Sequence, residues 1–128
     1  MPAPKIKRVY DPPADDDGAR VLVDRLWPRG LSKDKAAVDL WLKDIAPSDG
    51  LRKRFHGNPE AWEQFCAAYA HELQEPLAQA ALQTLRQRLR AGPVTLLFAA
   101  RDAHRNNAVA LKEWLQHSGG RPRPVSPR

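Results

Sequence analysis

The sequence predicts a single small α/β domain, a roughly four-stranded, mostly parallel sheet flanked by helices, and three observations carry that reading. Two runs, Val21-Leu22-Val23 and Val94-Thr95-Leu96-Leu97-Phe98, are nearly continuous apolar stretches, as in strands covered on both faces. Both pass abruptly into charge, Asp24-Arg25 and Arg101-Asp102, at what would be the carboxyl edge of an open α/β sheet. Two stretches between them repeat apolar residues at helical spacing and supply helices to cover the sheet.

The elements follow in order. Lys5-Ile6-Lys7-Arg8-Val9-Tyr10 predicts a short first strand, and residues 11–18, with two prolines, three consecutive aspartates and Gly18, a solvated loop. Consecutive carboxylates suit a hard cation, but the EF-hand spacing is absent. A second strand, Arg20 to Asp24, ends where Pro28 removes a ladder donor and holds Trp27 extended, with Gly30 in the turn. Ser32 is placed to cap a helical turn through Ala36. Val38, Leu40 and Leu42 then alternate with Asp39, Trp41 and Lys43, which predicts a third strand. Pro47 ends it, and Ser48 caps a helix over residues 49–55 that carries Arg52, Lys53 and Arg54 on a solvated face.

Asn58 and Pro59 open the next helix, whose stripe is Trp62, Phe65, Cys66, Tyr69 and Leu73. Glu75-Pro76 breaks it and starts another, with Leu77, Ala81, Leu82, Leu85 and Leu89 expected inward. Arg86, Arg88 and Arg90 suit the negative end of its dipole, and Gly92 its C-cap. The strand through residues 93–99 follows, then a last helix from near Asn106 to His117.

Composition bounds the rest. A chain of 128 residues with 42% hydrophobic and 28% charged residues is one ordinary globular domain, expected over residues 1–118. Residues 119–128 are rich in Pro and Gly and have nothing to bury, so a disordered basic tail is expected. That tail holds three arginines and no acid, half of the net charge of +6, which leaves a mildly basic fold. A single cysteine, Cys66, excludes an internal disulfide framework and a cysteine-rich zinc site. No apolar run approaches the ~20 residues that span a bilayer, and the amino terminus lacks a signal-like apolar region, so a cytoplasmic protein without membrane contact is expected. No cofactor or metal is expected either: glycine-rich phosphate loops and His-x-x-x-His pairs are absent, and His56, His71, His104 and His117 are scattered. The oligomeric state is not set by the sequence.

If the two apolar strands are parallel neighbours, their charged ends share one crevice. Asp24, Arg25, Arg29 and Arg101 are then expected around it, with Trp27, Trp41, Lys43, Asp102 and Asn106 as further candidate ligand-binding residues. Arginine fits a phosphate or carboxylate with two parallel hydrogen bonds, and helix N-termini add free N–H groups. Asp24 is suited to orient an arginine or to act as a general base. The competing structural expectations are an Asp24–Arg101 pair that only ties strand ends together, and packing of Trp41 under a helix. Cys66, on an apolar stripe, is expected to be an inert buried thiol.

Residues 21–30, 39–48 and 94–102 together resemble the YeaO-like bacterial proteins, a branch of the large domain-of-unknown-function family 488. The likeness covers roughly residues 5–117, and the string Asp24-Arg25-Leu26-Trp27-Pro28-Arg29-Gly30 is its specific part. The resemblance implies a small α/β domain and no established reaction. Longer relatives often carry a cysteine after the strand matching Val94 to Ala99, where this chain has Phe98-Ala99-Ala100. The YeaO-like pattern often continues with Asn then His, where this chain has Asn106-Asn107, so the proton-transfer group a His would supply is absent.

Three functions are compatible with these residues. The first, and the favoured one, is binding of a small anionic, phosphate- or nucleotide-like ligand at the strand ends, with or without catalysis. The second is weak nucleic-acid binding through Lys5, Lys7, Arg8, the Arg52-Lys53-Arg54 helix and the tail. The third is a non-catalytic interaction module.

Overall fold

The apolar run at Val94 becomes the strand on which the sheet is built. The computed structural model describes residues 3–55 and 58–119. Its strands are β1 (Lys5–Arg8), β2 (Ala19–Leu22), β3 (Leu40–Trp41) and β4 (Val94–Phe98), all parallel, in the order β1-β4-β2-β3. All five residues of β4 are buried, because both of its edges are paired and both of its faces are covered. The helices are α1 (Lys33–Ala36), α2 (Asp49–Phe55), α3 (Trp62–Glu72), α4 (Pro76–Ala91) and α5 (Asn107–Trp114).

The two faces of the sheet are covered unequally. Alternate residues Val21, Val23, Val94, Leu96 and Phe98 point into the main core with Tyr69, Leu82, Leu85, Leu89 and Leu111 of α3, α4 and α5. Leu22 and Leu97 point the other way, into a small cluster with Val9 and Ala36 that Trp27, Val38 and Trp41 cover. That thin face has only the single turn of α1 as a helical layer, so polar groups close its amino end. Arg20 donates to Asp17 Oδ2 at 2.6 Å and to the carbonyls of Ala36 and Ala37, and Lys7 reaches Asp17 at 3.2 Å. Burial opposes the charge on Asp17, but the N–H of Ala14, Arg20 and Lys7 outweigh it and hold the carboxyl below its ordinary value. Asp17 was expected in a solvated loop; it is buried because its neighbour Arg20 carries a charge into the sheet and needs a partner there.

Gly18 makes this corner with φ +67°, and a Cβ there would lie 2.2 Å from the carbonyl oxygen of Pro93. The close approach lets Ala19 N–H donate to that carbonyl, which starts the β2–β4 ladder.

Several elements differ from expectation. The third strand is two residues long, because the chain leaves the edge at Leu42 for a tight turn over Lys43–Ile45. Leu77 is 68% exposed; the buried face of α4 is Ala78, Ala81, Leu82, Leu85 and Leu89, one residue on from the expected start. α3 begins after a turn at Pro59–Ala61 with Ala61, not Asn58, at its N-cap and no side-chain cap. Ser32 and Ser48 cap as expected, by accepting from Lys35 N–H and Leu51 N–H. The last helix runs to Trp114 and continues as a wider turn over Leu115–Gly119. His56, Gly57 and, beyond Gly119, the expected tail lie outside the described residues. No helix among the described residues is long and apolar enough to cross a membrane.

Candidate functional site

Parallel pairing puts Leu22 beside Leu97, so the chain two residues further on places Asp24 beside Ala99. Asp24 Oδ2 accepts from the N–H of Ala99 at 3.0 Å, and Oδ1 accepts from Asn107 Nδ2 at 2.9 Å. Asn107 Nδ2 also donates to Val23 O at 2.9 Å, and Trp41 Nε1 to the backbone carbonyl of Asp24 at 2.7 Å. One residue thus ties β2 to the end of β4, to the first turn of α5 and to β3. Burial pushes the Asp24 carboxyl above its ordinary value; Asn107, the Ala99 N–H and the more distant Arg52 pull back against that rise.

The two tryptophans are packed. Trp27 and Trp41 meet edge to face at 5.5 Å, Trp27 Nε1 donates to Leu31 O, and Lys43 sits 4.6 Å from the centre of the Trp41 ring. Asp102 and Asn106 shape the entry to α5. Asp102 accepts from the N–H groups of His104 and Arg105, which hold its carboxyl below the ordinary value, and the buried Asn106 caps the helix through Val109 N–H.

The arginines separate. No ion pair joins Asp24 to Arg101; Arg101 and Arg29 are exposed. Arg25 turns away and donates to Ala46 O at 2.9 Å. A different set gathers at the edge. Arg8 at the end of β1 donates to Ala99 O at 3.2 Å and to Ala100 O at 3.0 Å, and its guanidinium lies 5.0 Å from the centre of the Tyr10 ring. Tyr10 in turn donates to Arg29 O at 2.9 Å. This relay ties the ends of β1 and β4 and the turn after β2 together, and Tyr10, Arg29 and Arg101 are all exposed there. Of the nine candidate residues the structure therefore joins Asp24 and Trp41 directly, with Trp27 and Lys43 on Trp41. It holds Arg29 and Arg101 at the Arg8–Tyr10 edge and sends Arg25 elsewhere. Arg8, Tyr10 and Asn107 were missed as site residues. The signal for Arg8 and Tyr10 was the parallel neighbour order β1-β4, which periodicity does not supply.

The cations set aside for nucleic acid are largely engaged. Lys5 meets Asp16 at 3.4 Å, Lys7 meets the buried Asp17, Arg52 meets Asp49 at 3.9 Å, and Arg54 lies over Phe55.

An all-parallel four-stranded sheet, a thick helical layer on one face and a strand-end carboxylate bound into the backbone define a small α/β domain of the kind the sequence resembles. The chain belongs to the YeaO-like branch of family 488: residues 4–125 match the model of the inactive DUF488-N3 subclade. It is 43% identical over 110 residues to the uncharacterized protein YeaO of Escherichia coli K12, covering 86% of this chain and 94% of that one. It is 42% identical over 111 residues to the uncharacterized protein Rv3073c of Mycobacterium tuberculosis H37Rv, covering 87% and 92%. No solved structure matches the chain.

Proposed function

We propose that this protein is a non-catalytic binding domain whose ligand carries a phosphate-like anion, held at the carboxyl edge of the sheet by Arg29 and Arg101. The observation that carries the reading is the Arg8–Tyr10–Arg29 relay. It ties the backbone at Arg29 and at Ala99–Ala100, next to Arg101, to the end of β1, so that two exposed arginines issue from one strand edge, while the strand-end carboxylate Asp24 is occupied by an N–H and an amide. Tyr10 adds a ring against which a nucleotide base fits. The description of the family as an inactive subclade accords with an Asp24 engaged in structural bonds.

The test is calorimetric titration with inorganic pyrophosphate and adenosine monophosphate at low salt. Arg29→Ala and Arg101→Ala should each weaken binding roughly tenfold or more, the worth of one charge-assisted bidentate contact, without altering stability. Wild-type protein that binds neither probe, or variants that bind as the wild type does, would refute the reading. Affinity for DNA should be weak and fall steeply with salt; tight, sequence-selective binding at physiological salt would favour a nucleic-acid function instead.

A further inference from the structure

Arg25 faces a second concavity that the strand-edge reading does not use. Its guanidinium makes one hydrogen bond among the described residues, to Ala46 O, and its Nε is buried with no partner. The side chain walls a cleft of about 270 Å³ formed with Asp44, Ser48, Glu72, Glu75 and Leu77. That volume lies just under the ~300 Å³ at which small-molecule sites begin.

Two halves of the cleft differ in sign. Beside Arg25 opens the N-terminus of α4, a 16-residue helix with no side-chain cap at Glu75 and no acid in its first turn. Pro76 has no N–H to offer, but the N–H groups of the next residues and the positive end of the dipole face any anion placed there. The other half is acidic. Glu72 spends its oxygens on Ser48, at 2.8 Å to N and 2.6 Å to Oγ. The carboxylates of Asp44 and Glu75 are on exposed residues and make no hydrogen bond or ion pair among the described residues. Among the described residues no group of acids is placed to hold a metal ion. Leu77, 68% exposed, forms an apolar lip.

We propose that this cleft binds a small α-amino acid with an apolar side chain. Its carboxylate lies on Arg25 and the first turn of α4, its ammonium group on Asp44 and Glu75, and its side chain on Leu77. A plain anion meets three carboxylates there and a plain cation meets Arg25; a zwitterion satisfies both halves.

The test compares L-leucine with isopentylamine, which lacks the carboxylate, and 4-methylpentanoate, which lacks the amine, by calorimetry at pH 7. Leucine should bind, with each truncated compound weaker by roughly tenfold or more. Glu75→Gln, at an exposed position, should weaken leucine by a similar factor with an unchanged unfolding midpoint. The double variant Arg29→Ala, Arg101→Ala should bind leucine as the wild type does, which separates this site from the basic edge. Absence of leucine binding, isopentylamine as tight as leucine, or an unaffected Glu75→Gln protein would each overturn the proposal.

Discussion

Replacement of Asp24 by alanine separates a structural tie from a ligand group. The substitution leaves the N–H of Ala99 without its acceptor, while Asn107 Nδ2 keeps Val23 O and loses one of two partners. A stranded buried donor costs roughly 1–3 kcal/mol and a lost hydrogen bond about 0.5–1.5, so a destabilisation of about 2–4 kcal/mol is expected. In urea, with a slope of about 1–3 kcal/mol per molar, that lowers the midpoint by roughly 0.7–4 M. The effect depends on pH with a definite sign. Burial raises the folded-state value of Asp24 above its ordinary 3.8, so the folded protein binds this proton more tightly than the unfolded chain does. The stability this contributes is complete below the ordinary value and is lost as pH rises through the folded one. The gap between wild type and Asp24→Ala should therefore narrow from pH 4 towards neutrality. Denaturant melts across that range measure it, with pyrophosphate titration on the same samples. A loss of under about 1 kcal/mol together with abolished anion binding would refute the structural assignment and return Asp24 to the ligand site.

Three further outcomes are expected. Asp17→Ala leaves the buried Arg20 without its counter-ion and should cost about 3–5 kcal/mol in denaturant melts; because the Asp17 carboxyl is held below its ordinary 3.8, its contribution is present above that value and is lost as pH falls through the lower folded-state one, an acid sensitivity the variant should lack. Gly18→Ala forces a Cβ to within 2.2 Å of Pro93 O at a positive φ, so it should unfold the β2–β4 corner or abolish soluble expression, whereas Gly50→Ala, with open space around it, should be neutral by the same measures. Cys66 is half-buried against the core, and burial followed by Glu113 and Glu63 pushes its thiol up to about 11, so labelling of native protein at pH 7 should be slow and rise on denaturation.

The parts of the fold that were legible in the sequence are those where one strong local signal acts alone. Continuous apolar runs marked β2 and β4, serine caps marked α1 and α2, and Pro76 and Gly92 bracketed α4. The failures come where a tertiary partner decides. Alternation through residues 38–43 reads as a strand, yet β3 is an edge with a single neighbour, and the chain leaves it once Leu42 has bonded to Leu22. Leu77 fits the spacing of α4 but sits in its first turn, beyond the reach of the core. The candidate site was legible as a place and not as a set of partners. Parallel strand ends do meet, but Asp24 takes an amide and an N–H where an arginine was expected, because Asn107 is delivered by a helix start 83 residues away.

The division of charge at this end of the molecule follows from the tie made by Asp24. Arg25 and Arg29 are close in sequence, yet Trp27 packs on Trp41 over the thin face and Pro28 is buried beside it, so the chain wraps around the end of the sheet between them. Arg25 is left on the side of the helical layer, against Ala46, and Arg29 on the side of Tyr10. A solvent-exposed carboxylate at position 24 would stand at the start of this wrap and neutralise whichever guanidinium came within about 4 Å. Asp24 spends both of its oxygens within the fold and forms no ion pair with Arg25 or Arg29, so it does not hold either guanidinium. The same bonds that tie Asp24 into the fold thus leave a basic edge on one side and an arginine-walled cleft on the other.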